Sequence, residues 1–217
     1  KKIKKYLFGT PTAKDMKPRP ETGQRLLDWI SKKHQYRFIK AVEVLYGVTM
    51  GAGKTADFMR ACQFLKMLTG INVHGFVTPM PDTIKDVCRD ARDGIQFQNI
   101  MIWVADRLVP VLQYILGDRI RPFSEIDTIK NLPEYNHIIA IGVQDARGQQ
   151  GKKYVKILKK FKFGLWGKDE AHTNQSAWSK FAKNVESYVK RWLDIYMTGT
   201  PEQFVLEYSQ FTEDNSI

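Results

Sequence analysis

The sequence predicts an α/β domain built on a mainly parallel sheet with helices on both faces. Two observations lead there. Apolar strand-like runs alternate with segments of helical spacing along almost the whole chain, and such alternation implies parallel strands joined by crossover helices. Three of the strand-like runs then end abruptly in loops rich in glycine, threonine or acidic residues, at the carboxyl ends where sheets of this kind bind ligands. At 217 residues the chain can bury one substantial core.

Residues 1–20, with seven Lys or Arg and three prolines, form a basic lead-in of low regularity. Glu21–Phe38 spaces Leu26, Leu27, Trp29 and Ile30 as one helix face, and Ala41–Val48 follows as a strand. A helix is expected from Lys54 to Leu68, a strand over Asn72–Thr78, a helix over Asp82–Ala91 and a strand over Ile100–Val104. A helix interrupted by Pro110 runs to Leu116, and the chain is irregular through Tyr135. His137–Gly142 reads as a strand, Lys152–Phe161 as a helix and Phe163–Gly167 as a strand. A helix to about Val189 and the strand Leu193–Met197 complete the pattern. No internal repeat interrupts it.

The loop Gly51-Ala52-Gly53-Lys54-Thr55 follows the first strand and opens a helix. Glycines let the backbone turn tightly with its amides inward, and the helix start adds positive potential. Lys54 can then reach the β- and γ-phosphate oxygens and the Thr55 hydroxyl can bind Mg²⁺. A nucleoside triphosphate is the ligand this chemistry fits. The strict phosphate-loop pattern carries another glycine five residues before Gly53, where this chain has Val48. The second strand-end motif is Asp169-Glu170-Ala171-His172. One carboxylate for a metal and one for a water meet the needs of phosphoryl transfer, which rests on positioning and charge stabilisation. The third is Thr198-Gly199-Thr200-Pro201.

In that order, these motifs resemble motifs I, II and III of the superfamily 2 helicases and translocases, over roughly residues 20 to 210. The looser first motif of that superfamily accommodates Val48-Thr-Met50-Gly51-Ala52-Gly53-Lys54-Thr55. The resemblance implies a single RecA-like domain over residues 21–217 that binds ATP with Mg²⁺. Asp169 would hold the metal through its water shell, Glu170 would polarise the attacking water, and His172 would communicate with the following motif. Thr198, Gly199 and Thr200 would relay the nucleotide state, although Thr198 and Thr200 could instead cap a helix after Pro201. Thr78-Pro79 resembles a motif that touches strand phosphates, and Gln144 with Arg147 occupies the place of another. Gln24 corresponds to an adenine-reading glutamine upstream of motif I, with Phe8 or Tyr6 stacking on the base. Its spacing from Arg19-Pro20 departs from the family pattern.

A formal net charge of +11 favours nucleic acid as partner. DNA is placed ahead of RNA. Lys152, Lys153, Lys156, Lys159, Lys160 and Lys162 form a dense basic run that is either a solvated helix face or a phosphate contact. Cys62 and Cys88 lack metal-ligand spacing and are expected as buried thiols of an intracellular protein. No run is apolar enough for a membrane span, and the N-terminus lacks the apolar region of a secretion signal. The chain starts at Lys1, as a processed or trimmed chain would, and ends soon after the third motif. It is therefore expected to be the N-terminal half of a motor whose second RecA-like domain lies elsewhere. Two other readings stand beside this one. A viral DNA-packaging terminase ATPase would be followed by a nuclease domain with clustered carboxylates, and a non-hydrolytic nucleic-acid-binding module would have no use for intact Lys54, Thr55, Asp169 and Glu170.

Overall fold

A computed structural model describes residues 20–34, 42–47, 53–144, 148–173 and 175–200. Phe8, Tyr6, Met50, Gly51, Ala52, Arg147 and Pro201 lie outside them. The described strands are β1 (Val42–Gly47), β2 (Val73–Thr78), β3 (Ile100–Val104), β4 (Ile120–Pro122), β5 (Asn136–Gly142), β6 (Lys162–Asp169) and β7 (Lys190–Thr198). They form one sheet in the order β1-β7-β6-β2-β5-β3-β4, and every pairing is parallel. The helices are α1 (Pro20–Lys33), α2 (Lys54–Thr69), α3 (Pro81–Asp93), α4 (Val109–Leu116), α5 (Gly148–Leu158) and α6 (Gln175–Asn184).

Both faces of the sheet are covered, as parallel strands require. Ile100, Ile102 and Val104 of β3 pack with α1 to α4, whereas Met101 and Trp103 pack on the other face with α5 and α6. The strict alternation follows from the two-residue repeat of a strand. Helix α3 buries Ile84, Val87, Cys88 and Ala91, at offsets of three, four and seven residues from the first, and its outer face carries the ion pairs Asp82–Lys85 and Asp86–Arg89. Helix α2 is buried almost all round from Lys54 to Leu65, because α1, α3 and the sheet enclose it. It closes at Gly70, whose left-handed backbone (φ 76°) lets its N–H reach the Lys66 carbonyl at 2.7 Å. At Gly75 a Cβ would lie 2.1 Å from Trp166 Cε3, so the missing side chain lets the indole cross β2. Cys62 and Cys88 are both free and buried. No helix among the described residues is long and apolar enough to cross a membrane.

Three segments differ from the sequence reading. The stretch before Tyr135, expected to be irregular, contains β4 and a 3₁₀ segment, Phe123–Asn131. Strand β4 has three residues, ends in Pro122 and lies at the sheet edge, where proline is tolerated. The 3₁₀ segment buries Phe123, Ile126 and Ile129, a period of three that neither a helix nor a strand template matches. Helix α6 stops at Asn184, and β7 begins at Lys190 rather than Leu193, with Arg191 and Asp194 paired along it.

Two histidines at the amino end of the sheet are held neutral. His74 is fully buried and its Nδ1 accepts the Leu165 N–H at 3.2 Å; His137 Nδ1 accepts the Trp103 indole N–H at 3.1 Å while Nε2 donates to the Leu132 carbonyl. Burial lowers their pKa values to about 3 and about 4. Since both folded values lie below the ordinary 6.5, the stability these rings contribute is whole above pH 6.5 and drains as pH falls through the folded values. Imidazole ¹⁵N shifts of His74 and His137 are expected to stay at neutral-ring values down to pH 5. Titration of either ring near pH 6.5 would contradict the burial argument.

Candidate nucleotide site

Strand order explains why three motifs far apart in sequence belong to one site. The loop after β1, the acidic end of β6 and the end of β7 sit on three neighbouring strands. Gly47 pairs with Thr198, and Asp169 with Met197, so the three carboxyl ends are nearly level. Gly53 adopts φ 80° and ψ 28° at the start of α2, a left-handed conformation that glycine takes without a Cβ clash. From there Lys54 and Thr55 form the first turn of a 16-residue helix, whose leading N–H groups have no intrahelical acceptors.

Lys54 Nζ lies 3.2 Å from Glu170 Oε1, and both side chains are mostly buried. Glu170 has φ 48°, the only positive φ of a non-glycine among the described residues. Such backbone persists where its surroundings fix it, and here the Glu170 carbonyl accepts from both the Thr173 N–H and hydroxyl at 2.9 Å. His172 Nδ1 is 3.5 Å from Glu170 Oε2 and hydrogen-bonds with Thr198 Oγ1 at 2.9 Å. Thr198 Oγ1 also accepts the Thr200 N–H at 3.1 Å. A polar chain thus runs Lys54, Glu170, His172, Thr198, Thr200, from the glycine loop to the end of β7. Gly199 stands between the two threonines and is half-buried.

Asp169 is 5% exposed. Burial, then the neighbouring Glu170 charge, raises its pKa to about 6, against the opposing pull of Lys54. A dication beside this carboxylate would reverse that shift. The donor set suits Mg²⁺: the Asp169 carboxylate and the Thr55 hydroxyl are hard oxygen ligands. Among the described residues no group of three or more His, Cys, Asp and Glu could hold a metal. Magnesium bound by one or two protein oxygens, with phosphates and waters completing the shell, needs no such cluster.

The remaining expected residues are placed less directly. Gln24 lies on α1, which docks on α2 where Gly23 meets Asp57, and its Nε2 donates to Asp28 Oδ1 at 2.8 Å. Thr78 is fully buried at the end of β2. Its Oγ1 accepts the Met80 N–H at 3.2 Å, so the hydroxyl turns the chain, and Pro79 is buried beside it. Gln144 is exposed after β5.

Sequence reasoning missed a charged network under the acidic motif. Lys168, one residue before Asp169, reaches Asp194 Oδ2 at 3.0 Å and Glu186 Oε2 at 3.2 Å. It donates to Tyr196 Oη at 3.0 Å, and that hydroxyl donates to Glu43 Oε1 at 2.9 Å. Burial alone would lower the Lys168 pKa, but Asp194 and Glu186 outweigh it and the net shift is upward. The available signal was Lys168 and Asp194 interrupting apolar strand runs.

No protein-family model matches the chain, and no curated protein matches it. Solved structures do. The chain is similar to a Sulfolobus solfataricus SWI2/SNF2 ATPase core in complex with dsDNA, with a TM-score of 0.53 and 17% identity over 84% of this chain and 32% of that one. It is also similar to a nuclease-deletion mutant of the Type ISP restriction-modification enzyme LlaGI in complex with a DNA substrate mimic. There the TM-score is 0.57, with 19% identity over 86% of this chain and 18% of that one. The chain therefore spans about a third or less of the length of these structures. At this identity the likeness concerns the fold: the chain is a RecA-like α/β domain.

Proposed function

We propose that the chain is the ATP-binding half of an ATP-dependent helicase or translocase that acts on nucleic acid, DNA ahead of RNA. The observation that carries this reading is the meeting of Lys54, Asp169, Glu170, His172 and Thr198 at the carboxyl ends of three adjacent strands. In the reading, the first-turn amides of α2 and Lys54 bind the β- and γ-phosphates, and Thr55 and Asp169 hold Mg²⁺. That ion supplies charge neutralisation at the phosphates. Glu170 leaves Lys54 for the attacking water, orienting it and accepting its hydrogen bond. His172 moves with Glu170, and its bond to Thr198 carries the change to the end of β7. In the same reading Gln24 would read the adenine, and Thr78, Pro79, Gln144 and Arg147 would contact the bound strand.

A second RecA-like domain would complete the cleft and supply arginine at the transferring phosphate. Such arginines contribute about 10³- to 10⁵-fold in other nucleotide hydrolases, so residues 1–217 alone are expected to turn over ATP slowly and unwind nothing. Single-stranded nucleic acid should bind with low sequence preference and an affinity that falls steeply with salt as counterions are released. Arg147→Ala should lower the log–log salt slope by about one unit. Anisotropy titrations at several salt concentrations, beside steady-state ATP turnover, test both expectations. Salt-independent binding would remove the nucleic-acid reading, and rapid stimulated turnover by this chain alone would remove the half-motor reading.

A further inference from the structure

The segments after β3 and β4, Gln144 after β5, and α5 line an open cavity of about 610 Å³ on the same carboxyl edge as the candidate nucleotide site. The two sites share no strand. The nucleotide site lies over β1, β7 and β6 and the cavity over β5, β3 and β4, so their centres are four strand spacings apart, roughly 20 Å. The cavity floor is apolar and fixed. Phe123 and Tyr154 are nearly buried and meet edge to face, with ring centroids 5.3 Å apart and planes at 90°. Its rim is polar and exposed, with the amides of Gln144 and Gln150 and the cations of Arg107 and Lys153. Asp106, also on the rim, accepts the Ser124 N–H at 3.1 Å through Oδ1.

We propose that this cavity receives one nucleotide unit of a bound single strand, the base against the Phe123–Tyr154 floor and a flanking phosphate at Arg107 and Lys153. The inference rests on the nucleic-acid reading above and adds a base-binding subsite to it. A nucleobase presents an apolar face and an edge carrying both donors and acceptors. An aromatic floor beneath two carboxamides, each able to donate and accept, complements that combination. A phosphate next to the base needs a cation within reach, and the rim has two. Pockets of 300–1,000 Å³ are typical of small-molecule sites, so one nucleotide with some water fits the volume. Outside the mouth, α5 exposes Lys152 and Lys156, which extend the positive field along the path a continuing strand would take.

The test compares an oligothymidylate with a base-less phosphodiester strand of the same length, titrated into residues 1–217 by anisotropy. Two exposed rim positions are altered: Gln150→Ala removes one amide, and Ser124→Trp places an indole in the cavity while leaving Phe123 and Tyr154 themselves unaltered. The parent chain should prefer the strand with bases by about tenfold, the order of one stacked base. Ser124→Trp should narrow that preference to near unity and Gln150→Ala should narrow it in part, while binding of both strands stays salt-dependent through the remaining phosphate contacts. If both strands bind but the preference survives in both variants, the subsite is overturned and the strand-binding reading stands. If neither strand binds, both readings fall. A free mononucleotide separates the remaining source of the same chemistry. Thymidine monophosphate bound by the Lys54→Ala chain and lost in Lys54→Ala/Ser124→Trp, with no strand affinity, would assign the cavity to free nucleotide and overturn the proposal.

Discussion

Glu170→Gln is expected to bind Mg·ATP within a few-fold of the parent chain while losing about 10²- to 10⁴-fold in hydrolysis, the usual contribution of a positioned general base. The amide preserves the shape of a side chain that is 3.2 Å from Lys54 and 3.5 Å from His172. It removes the negative charge that would orient water. Backbone geometry is part of the argument, since Glu170 sits at φ 48° with its carbonyl bonded twice to Thr173, which fixes where the carboxylate points. Single-turnover hydrolysis measured beside nucleotide affinity separates the two effects. An unchanged hydrolysis rate would assign Glu170 to pairing with Lys54 alone.

Lys168→Met is expected to destabilise the fold by about 3–5 kcal/mol, the usual cost of removing one member of a buried charged group. Without the ammonium, the Glu186 carboxylate keeps the Trp166 indole N–H, and Asp194 keeps Arg191. Both carboxylates are nearly inaccessible, so water cannot replace the lost cation. Methionine matches the length of the lysine stem and leaves no large cavity, so the loss reports the charge. The change in denaturation midpoint measures it. A loss below about 1 kcal/mol would mean that the remaining partners satisfy both carboxylates.

The candidate nucleotide site is legible in the sequence because each part is local: glycines before Lys54, an acidic pair closing one strand, a threonine closing another. Strand order then brings those parts together, and alternating periodicity already implied a parallel sheet. What was hidden is tertiary. Thr78 was read from type and position, and in the structure its hydroxyl accepts the Met80 N–H in the turn after β2, a partner the sequence does not display. Lys168 immediately precedes Asp169, yet its partners are 18 and 26 residues further on, in a 3₁₀ turn and on β7. Strand β4 has too few residues to show a period and is recognised only by its pairing with β3. The Phe123–Tyr154 floor joins the stretch expected to be irregular to the helix expected over Lys152–Phe161, a contact between distant segments.

The central claim is that the loop ending in Gly53-Lys54-Thr55 binds nucleotide together with the acidic end of β6. Calorimetric titration of Mg·ATP into the chain and into Lys54→Ala tests it most directly. The account predicts one site, loss of affinity when Mg²⁺ is withheld, and no measurable binding in the variant, since Lys54 supplies the γ-phosphate's main charge partner. Equal affinity in the two proteins would contradict it.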